Sequence, residues 1–152
     1  MQVSPVYYRL ANGTGADALS WLGAAIMAIA ILLEAISDKQ KSRAKAINPN
    51  RFCDNGLFKL VRCPNYLGEV LFWTGVLISA LTSLSGLFQW LIALIGYVAI
   101  VYIMFSGARR LELRQNKHYG NDPEYQAYVS KTPILLPFIP LYSLTPYEFI
   151  KV

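Results

Sequence analysis

Charge is scarce in this sequence. Only 15% of its 152 residues are Asp, Glu, Lys or Arg, where a soluble domain carries about a quarter. Histidine is rarer still. His118 is the only one, which excludes zinc or iron chemistry built on several histidines. A Ser–His–Asp or Cys–His site stays formally open, and nothing around His118 in the sequence supports one. There are two cysteines, Cys53 and Cys63, ten residues apart with no histidine nearby, so they do not read as a metal site. Neither a P-loop nor a GxGxxG stretch occurs, and there is no repeat or low-complexity segment.

What is abundant is apolar sequence, 55% of the chain. Three stretches are almost free of charge: 18–36, 66–84 and 87–105. Each would extend roughly 28 Å as a helix, the thickness of a bilayer core. The reading is an all-α integral membrane protein with three transmembrane helices in a single membrane domain, 1–152. The first stretch lacks the basic lead and small-residue cleavage site of a signal peptide. Residues 1–17 read as a loose extramembrane lead. Residues 37–63 read as a basic loop with turns at Asn48–Asn50 and Asp54–Gly56. Spans two and three meet at Ser85-Gly86 as a tight hairpin. Residues 106–152 read as a tail that begins as a polar continuation of the third helix, stopping at Gly120. A short helix then starts at Pro123, and a proline-broken apolar segment lies along the interface or covers the hairpin.

Of the 14 basic residues only Arg9 precedes the first span; the other 13 fall between spans one and two or after span three. The positive-inside rule places that side in the cytoplasm. The expected location is a bacterial inner membrane or the endoplasmic reticulum, with loop 37–63 and the tail cytoplasmic. Free thiols are expected for both cysteines in that reducing compartment.

Polar chemistry gathers on the same side. Pro64 suits the first position of a helix, so the N–H groups of that helix start beside Arg62, an anion-binding arrangement. Asn65 and Glu69 are four residues apart, on one face. Glu69 lies roughly 7 Å into the helix, where a carboxylate in lipid costs a few kcal/mol unless paired or hydrated. Glu34, Asp38 and Lys41 share a face at the end of span one. Arg110 and Glu112 flank Leu111, with Arg114 one turn on and Tyr119, Tyr125 and Tyr128 following. Each cluster also has a plain structural reading: a helix-locking ion pair, a snorkelling face, a solvated helix. Together they could form a cationic mouth opening into a membrane cavity.

The runs "SDKQK", "NPNRFCDNGLFKLVRCPNYLGEVLFWTG" and "ELRQNKHYGNDPEYQAYVSKTPILLP" resemble the C-terminal domain of steroid 5-alpha-reductase-like membrane proteins, above all a branch named only as a domain of unknown function. The resemblance covers about residues 18–140. The chain is also similar to sterol C14-reductases and isoprenylcysteine carboxyl methyltransferases. The resemblance implies NADPH at the cytoplasmic helix ends, contacted by Asn65, Tyr66 and Glu69 of the "NYxGE" element, with Arg62 near its phosphates. It further implies Asp38, Lys41, Arg110, Glu112, Tyr119 and Tyr128 as cofactor-binding positions, no metal, and reduction of a conjugated carbon–carbon double bond in a lipid-like substrate. Cys63 stands where many such relatives carry His. Steroid reductases have several more helices before this domain. The expectation is therefore a short or incomplete form, or one whose pocket a second copy or partner chain completes.

Three functions follow. The first is a membrane NAD(P)H-dependent reductase acting on a steroid-like or other lipid. The second is a membrane S-adenosylmethionine-dependent methyltransferase of the isoprenylcysteine or phospholipid type. The third is a non-enzymatic module that binds lipid or a partner. Expected partners are the membrane and a lipid-like small molecule, not nucleic acid.

Overall fold

The computed structural model describes residues 4–13 and 15–150. They form five α-helices: α1 (Ser4–Ala11), α2 (Ala18–Ile47), α3 (Pro64–Ala80), α4 (Leu87–Tyr119) and α5 (Pro123–Lys131), with a 3₁₀ turn at Gly56–Lys59. No strand occurs among the described residues. Two helices, α2 with 30 residues and α4 with 33, are long and apolar enough to cross a membrane. Both leave large apolar side chains uncovered, among them Trp21, Ile29 and Leu32 on α2 and Phe88, Ile95 and Val98 on α4.

Helix α2 starts at a capping box. The Asp17 carboxylate accepts from Ser20 N at 2.8 Å, and Asp17 N donates to Ser20 Oγ at 3.2 Å. The Ser20 bonds hold the Asp17 carboxyl well below the usual carboxylate range. The helix then runs past the apolar stretch to Ile47. The expected loop at 37–63 therefore begins eleven residues later, at Asn48. The reason is local: Lys, Gln, Arg and Ala favour helix, and nothing breaks the run until Asn48 precedes Pro49. The "DNG" turn is present, with Gly56 at φ +58°, where a Cβ would sit 2.4 Å from the Gln40 amide. Gln40 in turn accepts from Leu57 N at 2.9 Å.

Helix α3 begins at Pro64 in its first turn and ends at Ala80, 17 residues in all. That is four residues short of the stretch read from hydropathy. The residues just beyond the helix, Thr82, Ser83 and Ser85, are serine and threonine, which compete for backbone groups. Helix α1 closes this end. Arg9 donates to Ser79 O and, at 3.1 Å, to Thr82 Oγ1, and Asn12 Nδ2 donates to Ser83 O at 2.7 Å. A cation on the last carbonyls of a helix is favourable. Residues 4–11 are thus a helix that caps the bundle, not a loose lead; residues 1–3 and 14 lie outside the described residues.

The most extensive helix pairing is α2 with α3, and it is antiparallel: Gly23 meets Gly75, while Ala30 and Glu34 meet Gly68. A buried core at the other end of α3 joins Val61, Cys63, Leu67 and Ala108 to Ile134, Leu135, Leu144 and Ile150 of the tail. The tail from Thr132 onward is irregular, as its prolines require. It is tied to α3's start by Arg62 N to Pro133 O and Cys63 N to Ile134 O, both 2.9 Å. This core places the start of α3 beside the basic ends of α2 and α4.

Candidate functional site

At that end lies a cavity of about 200 Å³ lined by Lys41 and Lys45 of α2, Phe52, Cys53, Phe58 and Arg62 of the connection, Asn65 of α3, and Leu111, Arg114, Gln115, His118 and Tyr119 of α4. Four permanent cations and the single histidine line it, and no carboxylate does among the described residues. A cluster of cations of this kind favours an anion.

Arg62 is the centre of the arrangement. It is 2% exposed. Its Nη2 donates to Glu112 Oε1 at 2.9 Å and to Tyr142 O. Glu112, equally buried, takes Leu144 N on its second oxygen at 2.8 Å. One carboxylate therefore fixes both the arginine and the tail. Arg62 Nε and Nη1 are buried and have no hydrogen-bond partner among the described residues. Tyr125 stands beside the guanidinium, its hydroxyl oxygen turned to accept from Arg62, and donates its own proton to Asn116 Oδ1 at 2.8 Å. Buried donors without acceptors are costly.

The aromatic wall is built around Phe52. It stacks on Tyr128 at 5.3 Å and meets Tyr119 and Tyr125 edge-on. Tyr128 donates to Phe58 O at 2.6 Å, and burial keeps its hydroxyl above the ordinary tyrosine range. Lys45 bridges Pro49 O, Arg51 O and Tyr119 Oη at 3.0, 2.7 and 2.8 Å, tying α2, the connection and α4 together.

The ten residues singled out from the sequence divide. Lys41, Arg62, Asn65 and Tyr119 line this cavity. Tyr66 and Arg110 line a neighbouring cavity of about 220 Å³ that shares Leu111 and Arg114 as a wall. Glu112 and Tyr128 stand behind the walls, so they position other groups and do not face the space. Asp38 and Glu69 line neither cavity. Asp38 is exposed. Glu69 accepts from Trp73 Nε1 at 3.1 Å and lies near Glu34. Glu69 does share a helix with Asn65, but Asn65 is at the mouth and Glu69 a turn deeper toward α2.

Lys45, Phe52 and His118 join the site without having been singled out from the sequence. Spacing carries a signal for two of them. Lys45 is four residues beyond Lys41, and His118 four beyond Arg114, so each repeats the face of its neighbour. Phe52 has no such signal, because its place depends on the turn at Pro49.

Both thiols are free and buried. Burial pushes Cys63 up to about 12 and raises Cys53 as well. In the folded protein at pH 8, neither thiol should react with an aromatic disulfide reagent within minutes, and both should after unfolding. Rapid labelling of Cys53 would show that the connection opens.

Among curated proteins and solved structures, nothing matches this chain. A family model described as a protein of unknown function, DUF1295, matches residues 1–132. The chain therefore belongs to the DUF1295 family.

Proposed function

We propose that this chain is the cofactor-binding part of a membrane NAD(P)H-dependent reductase of a lipid-like substrate. In this reading α3 joins α2 and α4 as a third span, and the basic end faces the cytoplasm. The observation that carries it is the cavity of four cations that includes buried Arg62, with no carboxylate among its described lining residues. That chemistry suits phosphate oxygens, which take planar arginine donors in pairs. At about 200 Å³ the cavity is smaller than a site for a whole drug-sized ligand. It suits a phosphate-bearing part of the dinucleotide. Arg62 and Lys41 would hold the phosphates, with Phe52 and Tyr119 as an aromatic wall. NADPH, when bound, supplies a hydride for a carbon–carbon double bond conjugated to a carbonyl. Arg62 keeps its orientation through Glu112 and the tail, which also close this end against water.

The same observation weighs against S-adenosylmethionine. Its sulfonium is a cation, and a wall of cations without a carboxylate repels it. Titration of the detergent-purified protein with NADPH, NADH and S-adenosylmethionine, followed by thermal unfolding, tests the reading. NADPH should raise the midpoint, by about 2.7 kcal/mol of stabilisation at a hundredfold excess over Kd. A shift with S-adenosylmethionine and none with either nicotinamide cofactor would favour the methyltransferase. No shift with any of the three would favour a non-enzymatic module.

A further inference from the structure

The second cavity, lined by Tyr66, Gly107, Arg110, Leu111 and Arg114, differs from the first in its height on α4. Arg110 lies five residues past Phe105, the end of the apolar stretch, so about 8 Å beyond it, and Arg114 about 14 Å. The headgroup layer adds roughly 5–8 Å to each face of the hydrocarbon core. Arg110 therefore stands level with lipid phosphates, and Arg114 reaches them from one turn above. The two are four residues apart, on one face of an unbroken helix. Across from them Gly107 lets the Tyr66 ring lie close to α4. A Cβ at 107 would be 3.3 Å from Tyr66 Cζ and 3.4 Å from its hydroxyl oxygen. The space so formed is lined by two arginines and a tyrosine, with no carboxylate among the described lining residues.

We infer that this cavity is a phosphate site that takes the headgroup of an anionic membrane lipid on Tyr66, Arg110 and Arg114. The inference rests on the reading of α4 as a membrane span and does not require the nicotinamide cofactor. Basic pockets between membrane helices bind such headgroups, and the arginine forks match phosphate geometry. The lipid phosphate lies against the same Leu111–Arg114 wall that borders the first cavity, so its chain enters the bilayer beside the site.

The test is thermal unfolding of the full chain in neutral detergent with added dioleoyl phosphatidylglycerol, dioleoyl phosphatidylcholine or soluble glycerol phosphate. Phosphatidylglycerol should raise the midpoint at concentrations where the other two do not. Arg110→Gln should weaken its apparent affinity about tenfold. Arg110→Lys should lie between, since charge remains and the fork is lost. Lys117→Gln removes an equal charge from the exposed helix outside the cavity and should change nothing. Both positions are exposed, and each variant's lipid-free midpoint is read first as the baseline for its own shift. Equal shifts with both lipids would overturn the inference, as would equal losses in Arg110→Gln and Lys117→Gln, which mean diffuse charge attraction. A matching shift with glycerol phosphate would overturn the lipid assignment. None of these outcomes depends on whether NADPH binds.

Discussion

Replacing Arg62 by methionine should destabilise the protein by about 3–5 kcal/mol, because it leaves the Glu112 carboxylate buried without its cation. Both side chains are 1% exposed and their charged atoms are 2.9 Å apart. Removal also takes the donor from Tyr142 O and loosens the tail, whose Leu144 N relies on the same carboxylate. The double variant Arg62→Met/Glu112→Leu separates structure from function. An ion pair replaced by apolar groups of similar size is often neutral for stability, so the double variant should recover most of the loss. The buried Leu144 N–H, left without its acceptor, limits the recovery by about 1–3 kcal/mol. Anion binding should not recover at all, since the Arg62 guanidinium is gone. Thermal unfolding read beside NADPH titration gives both answers. If the double variant binds NADPH as tightly as the parent, Arg62 is a structural residue and the cofactor lies elsewhere.

That pair also shows where the sequence stops being informative. Arg62 and Glu112 are fifty residues apart, and no spacing rule links them. From the sequence, Glu112 sits two positions after Arg110, and in a helix residues so placed face different ways. Arg110 duly turns to the second cavity while Glu112 turns inward to Arg62. The helical class and the long apolar helices were legible because hydropathy and the 1.5 Å rise act locally. Pro64 and Pro123 were legible as helix starts for the same reason. The tail was legible only as irregular. Its contribution to the core, through Ile134, Leu135 and Leu144, depends on backbone bonds to Arg62 and Cys63 that no local pattern encodes. For Glu69 the depth was readable from the sequence and the direction was not. It turns toward Trp73 and Glu34.

A single methyl group at position 23 should be among the most damaging changes available. The three buried residues of α2 are Gly23, Ala30 and Ser37, a stripe of small side chains at seven-residue spacing. On α3, Gly68 and Gly75 repeat that spacing from the other side. Membrane helices associate through such small residues, because lipid offers no hydrophobic gain for larger ones. A Cβ at Gly23 would lie 2.4 Å from Gly75 O, 2.7 Å from Ser79 Cβ and 2.8 Å from Ser79 N. Two of these are backbone atoms, so no rotamer change relieves them, and the helices must part. Gly23→Ala should cost about 3 kcal/mol, the upper end of overpacking, and Ser79→Gly in the same chain should not rescue it. Gly107→Ala provides the contrast. There the new Cβ meets only the Tyr66 ring, at 3.3 Å, and a ring can move by a few tenths of an ångström. Its cost should stay below about 1 kcal/mol. Lys41 lies 18 residues further along α2, so about 27 Å from Gly23. Gly23→Ala touches nothing in the cationic cavity, yet it tilts the helix that carries Lys41 and Lys45. NADPH affinity should therefore fall together with the unfolding midpoint. An unchanged midpoint in Gly23→Ala would mean that α2 and α3 are not held at this distance. A lowered midpoint with unchanged affinity would mean that α2's far end is positioned by Lys45 and its three bonds alone.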